Sequence, residues 1–155
     1  MVTSVAPAAV DEAAVRAALG EVADPEIPTV SIVDLGIVNA VAVDDNRISV
    51  DLLPTFVGCP ALDVIRSAVE ERLARFDRPL DVRFTSVVPW TTERLTDGGR
   101  AGLRMAGIAP PDEHVSCPFC DSTEIAMDNL FGPTLCRSLY YCRNCRQPFE
   151  AFKPL

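Results

Sequence analysis

This sequence predicts an α+β chain in two parts: a small α/β domain with helices on a mixed sheet, then a short tail too small to hold itself together unaided. Three observations carry that reading. Through residues 11–90 the apolar positions switch between helical spacing and strict alternation. The pair Pro110-Pro111 then breaks the chain stiffly. Beyond it, four of the six cysteines stand as two C-x-x-C pairs. The two parts are expected at 11–111 and 112–155.

Residues 1–10 contain Pro7 and small residues without period, and read as a loose leader. Asp11 is a candidate N-cap for a helix over 12–22, whose apolar face is Val15, Ala18, Leu19 and Val22. Asp24-Pro25-Glu26-Ile27-Pro28 stops that helix, because a residue before proline is pushed out of the helical region. Ile37 to Val43 is a nearly continuous apolar run. After the turn Asp44-Asp45-Asn46, Ile48, Val50 and Leu52 alternate with Arg47, Ser49 and Asp51, which makes a half-buried strand. Leu62, Ile65, Val69, Leu73 and Phe76 recur at helical spacing and place a second helix over 60–75, with Pro60 at its first position. A strand is expected over 81–88, Val82 and Phe84 facing one way and Asp81, Arg83 and Thr85 the other. After Pro89-Trp90 a short helical stretch reaches Gly107, a suitable C-terminal cap.

Of the 155 residues 48% are hydrophobic and 23% charged, enough apolar material for a folded core. The net charge is −8. Residues 1–112 carry 17 acidic and 10 basic side chains, and residues 113–155 carry 5 and 4. Neither part has the basic face that attachment to nucleic acid needs, so small ligands or proteins are the expected partners. MVTSVAPAAVDEA lacks the basic start and apolar stretch of a secretion signal. No apolar run approaches the roughly 20 residues of a membrane span. A cytoplasmic chain is therefore expected, whose cysteines serve as metal ligands or reactive thiols rather than disulfides.

Cys117-Pro-Phe-Cys120 and Cys142-Arg-Asn-Cys145 are separated by 21 residues. Each pair can bend into a knuckle, and the intervening hairpin, with Ile125 and Met127 on one arm and Leu139 and Tyr141 on the other, can bring the knuckles together. The expected result is a four-cysteine zinc ribbon with Cys117, Cys120, Cys142 and Cys145 as ligands. With no open coordination position, the metal would be structural. Four unligated cysteines and a rubredoxin-like iron site are the alternatives. His114 could compete as a ligand or be a solvated linker residue. Phe119 and Phe149 are candidates to cover the metal. Cys136 could replace a knuckle cysteine, stand as a fifth thiol near the zinc, or be a small buried hairpin residue. Loss of any one ligand should unfold the tail and spare 11–111.

Cys59 stands in Thr55-Phe56-Val57-Gly58-Cys59-Pro60, just before the second helix, where the helix dipole favours a thiolate. It is either a nucleophile or soft-metal ligand, or a packed cap residue. Asp24, Glu26 and Asp34 are equally readable as turn formers and helix-end charges. The one histidine cannot supply a Cys-His pair or di-iron ligands, and neither a G-x-G-x-x-G nor a P-loop is present. An autonomous enzyme is not expected.

Asp24-Pro25-Glu26-Ile27-Pro28, Asp34-Leu35-Gly36-Ile37-Val38 and Thr55 to Pro60 resemble the MIP18 family, whose members assist iron–sulfur cluster assembly. Val88-Pro89-Trp90-Thr91-Thr92, Gly107 to Pro111 and the tail from Cys117 through Phe131-Gly132-Pro133-Thr134-Leu135-Cys136 to Phe149 resemble the PaaD (PaaJ) family of phenylacetyl-CoA epoxidase subunits. The resemblance implies a MIP18-like domain carrying a zinc ribbon, and an accessory role in phenylacetate breakdown. It implies Cys59 as the functional thiol and a transient iron–sulfur cluster ligand, supported by Asp24, Glu26, Thr55 and Cys136. Its implied partners are the oxygenase and reductase subunits and iron–sulfur assembly proteins, with no nucleic acid and no membrane. The competing expectations are a structural subunit bridging oxygenase and reductase, and a zinc-ribbon nucleic-acid module, which the acidity disfavours.

Overall fold

The computed structural model describes residues 10–154; the leader expected at 1–10 lies, apart from Val10, outside them. Helix α1 (Glu12–Leu19) begins where Asp11 accepts a hydrogen bond from the Ala14 amide at 2.8 Å. Val15, Ala18 and Leu19 are buried. The helix ends three residues before the expected Val22, because Gly20 closes it. Val22 remains buried in the following turn, where it accepts from the Ile32 amide.

Strands β1 (Val38–Val43) and β2 (Ile48–Leu52) pair antiparallel, Val43 opposite Ile48. Helix α2 (Leu62–Leu73) then crosses back so that β3 (Leu80–Phe84) lies parallel to β2, in the order β1-β2-β3. The sheet is therefore mixed. Ile48, Val50 and Leu52 are completely buried, as their alternation requires, and meet Ile65, Val69 and Leu73 from α2 in one core. β3 stops at Phe84 rather than at residue 88, since β2 ends with Leu52, whose carbonyl takes the Thr85 amide as the last pairing.

Helix α3 (Asp97–Met105) is capped by Thr96, whose hydroxyl accepts from the Gly99 amide. Asp34 accepts from the Ser31 and Thr96 hydroxyls beside this helix start, a helix-end charge holding a turn. Gly36 has φ +73°, and a Cβ there would lie 2.5 Å from Arg94 Cβ, so the backbone tolerates no side chain at that position. Arg94 in turn donates to the Gly36 carbonyl at 2.9 Å.

Gly107, at φ +75°, turns the chain into β4 (Ile108–Ala109). In the tail β5 (Ile125–Asn129) and β6 (Arg137–Cys142) form the expected hairpin, Met127 opposite Tyr140. A third strand, β7 (Pro148–Phe152), pairs antiparallel with β6 and parallel with β4, giving the order β4-β7-β6-β5.

The tail is thus sewn onto the first part. Ile108 and Ala109 lie opposite Glu150 and Ala151. Phe152 belongs to the main core, its ring centroid 5.7 Å from that of Trp90. Trp90 is itself fixed by donating its indole N–H to the Leu35 carbonyl at 2.9 Å. Arg104 pairs with Asp121 and reaches the Cys117 carbonyl, and Arg100 pairs with Asp112. These contacts bear on the expectation that the tail could unfold while residues 11–111 stay intact, because Phe152 of the tail is part of their core.

Candidate functional site

The two knuckles of the tail converge. The sulfurs of Cys117, Cys120, Cys142 and Cys145 all lie within 4.8 Å of one another. Cys117 to Cys145 and Cys120 to Cys142 are both 3.6 Å apart. Zn–S bonds of about 2.3 Å in a tetrahedron give an S–S edge of roughly 3.8 Å, so this spacing suits one metal ion held by four thiolates. Four thiols this close oppose one another's ionisation. Cys120 is held down to about 6, first by the Ser122 amide and then by the Asn144 side chain, while Cys145 is pushed up to about 12, by desolvation and then by its three neighbouring thiols. Cys117 is pushed up by burial. A dication removes the conflict by letting all four ionise.

Phe149 is buried beside Cys117 and Cys142 and stacks on Tyr140 at 5.6 Å. Phe119 is instead 56% exposed, its ring beside Gly107. His114 is exposed and stands outside the four-sulfur group.

The two remaining cysteines, neither in a disulfide, line a common space elsewhere. Cys59, Cys136, Glu26 and Thr55 all line a cavity of about 240 Å³ between the first part and the β5–β6 connection. The same four residues, joined by Asp24, line an adjoining hollow of about 20 Å³ that reaches Ile37, Ile65 and Phe152. All five residues implied by the family resemblance therefore line the small hollow, and four of them the larger cavity as well. They come from three distant stretches: the turn after α1, the loop after β2, and the tail.

Each stretch is fixed locally. The Asp24 carboxylate accepts from the Glu26 and Ile27 amides, both at 2.9 Å, which folds the Asp-Pro-Glu turn on itself. Burial pushes the Asp24 carboxyl above its ordinary range, against the pull of those amides and of Arg137. Cys59 follows Gly58, at φ +85°, and accepts from the Leu62 amide through its carbonyl. Helix α2 starts at Leu62 with Ala61 as its N-cap, so Pro60 is outside it and Cys59 lies two residues before the cap. Cys59 is expected immediately before the helix, with Pro60 at its first position; the helix starts two residues later, and a turn presents the thiol. Cys136 is placed by Lys153, which donates its amide to the Cys136 carbonyl, and its sulfur lies 3.2 Å from the Thr134 hydroxyl. Burial pushes the Cys136 thiol up.

Arg137 carries no signal of its own in the sequence. It is buried, donates to Glu150 at 2.6 Å and to the Glu26 carbonyl at 3.3 Å, and so pins the acidic turn to the tail. Only its place beside Cys136 could have marked it.

Two expectations follow from this geometry. Because the Asp24 charge is opposed by burial, it costs stability above its raised pKa, and the cost fades as pH falls through that value toward the unfolded one near 3.9. Asp24→Asn keeps the acceptor oxygen and should be at least as stable as the parent at about pH 7, the advantage narrowing toward acid. Asp24→Ala strands two amides and should lose about 1–3 kcal/mol. Denaturant unfolding of both variants checks this; equal losses at neutral pH would show that the charge itself is stabilising. For Cys136, which stands apart from the four-sulfur group, Cys136→Ser should leave metal content unchanged by elemental analysis. A drop as large as that of Cys120→Ser would place Cys136 among the ligands.

Comparison with known proteins assigns both parts. Residues 12–82 match the family described as iron-sulfur cluster assembly protein, and residues 106–153 match the PaaD zinc beta ribbon domain. A crystal structure of domain of unknown function DUF59 from Bacillus anthracis is similar with 31% identity and TM-score 0.55, covering 59% of this chain and 90% of that one. A conserved hypothetical protein of Thermotoga maritima is similar with 31% identity and TM-score 0.52, covering 59% and 91%. Fold and site together define an iron–sulfur-assembly type of domain joined to a zinc ribbon. Similarity to a 1,2-phenylacetyl-CoA epoxidase subunit of Escherichia coli (strain K12) extends that to the whole length, 36% identical over 97% of this chain and 96% of the relative. The chain belongs to this PaaD family of phenylacetyl-CoA epoxidase subunits.

Proposed function

We propose that this protein is a non-catalytic accessory component of a phenylacetyl-CoA epoxidase system in phenylacetate degradation, and that it assists assembly or insertion of an iron–sulfur cluster in the reductase component. One observation carries the reading: Cys59, in the part of the chain that resembles iron–sulfur assembly proteins, lines a cavity with Glu26, Thr55 and Cys136 and a small hollow that Asp24 lines too. The four-sulfur site takes zinc, with every position filled, and so holds the tail's shape without touching substrate. The partners are the oxygenase and reductase subunits and the cellular cluster-assembly proteins, met in the cytoplasm. Among the described residues no helix is long and apolar enough to cross a membrane.

The test is the reductase itself. Purified from cells lacking this chain, it should contain its flavin but be short of iron and sulfide. A cluster-replete reductase would remove the maturation role.

A second reading, a subunit that bridges oxygenase and reductase, is favoured by the exposed apolar side chains of the tail, Met127, Leu130, Phe131 and Leu135. Turnover in vitro separates the two. Oxygenase and reductase already loaded with cofactors should work without this chain if it acts in maturation, and an absolute requirement for it would establish the bridge.

A further inference from the structure

The six cysteines divide into a closed set of four and an open set of two. The four saturate one metal ion and leave nothing to exchange. Cys59 and Cys136 are far apart in sequence, yet both line the cavity of about 240 Å³ and the hollow of about 20 Å³ beside it. By the same measure a single water needs roughly 10–15 Å³, so the hollow they share holds about one water while the cavity admits something much larger. Both thiols are partly exposed, and neither is in a disulfide.

We propose that Cys59 and Cys136 work as a pair, one thiol from each part of the chain, and together hold the iron–sulfur cargo in the cavity between them. The inference rests on the maturation reading and adds its second ligand. Iron in a two-iron cluster is ordinarily bound by four cysteine thiolates. Two from this chain leave two positions for the protein that gives the cluster or the protein that takes it, which is what a carrier needs and what the tail's four-cysteine site cannot offer. Each thiol gives up its proton to solvent as its sulfur binds iron.

The structure equips Cys136 for this. The turn that carries it is tight: Gly132 donates to the Arg137 carbonyl, and a Cβ on Gly132 would come within 2.8 Å of that oxygen. Lys153 donates its amide to the Cys136 carbonyl and its ammonium to that of Leu135. Arg137, gripping Glu150 and the Glu26 carbonyl, ties the turn to the opposite wall of the cavity. Glu26 and Thr55 add a carboxylate and a hydroxyl to the lining. The second thiol is thus held in place before cargo arrives.

The test uses the full chain with zinc in place. Anaerobic reconstitution with ferrous iron and sulfide, in glutathione to fill the remaining positions, should load the parent with iron and sulfide that survive desalting. Cys59→Ser and Cys136→Ser should each lose that iron and sulfide to the same extent, and the double variant no further, while all keep their zinc and their thermal midpoint. Loss in only one of the single variants overturns the pair; if that one is Cys59→Ser, the maturation reading stands. A parent that takes up neither iron nor sulfide overturns both. A second probe asks about proximity alone. Phenylarsine oxide joins two adjacent thiols by forming two S–As bonds, its oxygen leaving as water with the two thiol protons. One adduct should form on the zinc-loaded parent and none on either single variant; an adduct that persists in Cys136→Ser would overturn the pairing.

Discussion

Cys117→Ser should release the metal, unfold the tail and destabilise the first part of the chain as well. Cys117 is fully buried, and its sulfur is one of four that a single ion must bridge. Three thiolates and a hydroxyl bind zinc more weakly, and metal binding here is folding free energy. Once the knuckles open, β7 loses its anchor. Phe152 then leaves Trp90 and the core, a change comparable to deleting a buried phenylalanine, about 3–5 kcal/mol. Elemental analysis should find about one zinc per chain in the parent and none in the variant. Unfolding followed at Trp90, the sole tryptophan, should shift to lower denaturant. A variant that loses zinc but keeps the parent's Trp90 transition would show that the two parts are energetically separate.

Cys59→Ala is expected to have the opposite character, costing function and sparing fold. Cys59 is only partly buried and packs against the core from its edge, so trimming it should change stability by no more than about 1–2 kcal/mol. Zinc should be retained, since the thiol belongs to the other cavity. Cells carrying the variant should nevertheless fail to grow on phenylacetate, and their reductase should have flavin without its full iron and sulfide. Normal growth would return Cys59 to the role of a packed turn residue. Failed growth with a cluster-replete reductase would point to the bridging role.

What the sequence shows in advance is what local spacing encodes. The two C-x-x-C pairs announce the metal site because each knuckle is a local turn, and Ile48, Val50 and Leu52 announce β2 because alternation is a property of one strand. Ile108-Ala109 carries no such signal. Two residues cannot display a period, and their strand exists only because β7 offers an edge. Pro110-Pro111 looks like a boundary for a good local reason, yet it marks a corner within a shared sheet. The shared cavity is equally invisible. Asp24, Glu26, Thr55, Cys59 and Cys136 can each be named from family resemblance, but their convergence depends on how the tail folds back, and on Arg137, whose grip on Glu26 spans 111 positions.

The parallel pairing of β4 with β7 also sets an order of events during synthesis. Chains are made from the amino terminus and leave the ribosome in that order, so α1, the three-stranded sheet and α3 are all available before residues 148–152 exist. Until then β4 has no partner, and the space beside Trp90 lacks the Phe152 ring. The nascent first part is therefore an incomplete fold that exposes apolar surface. It is completed only when the last strand arrives with its metal. Zinc supply as the chain is released, when Cys142, Cys145 and the last strand first become free to fold, becomes a condition for soluble protein. Pulse-labelled chains made under zinc depletion should remain protease-sensitive across residues 88–109, and those made with zinc should not.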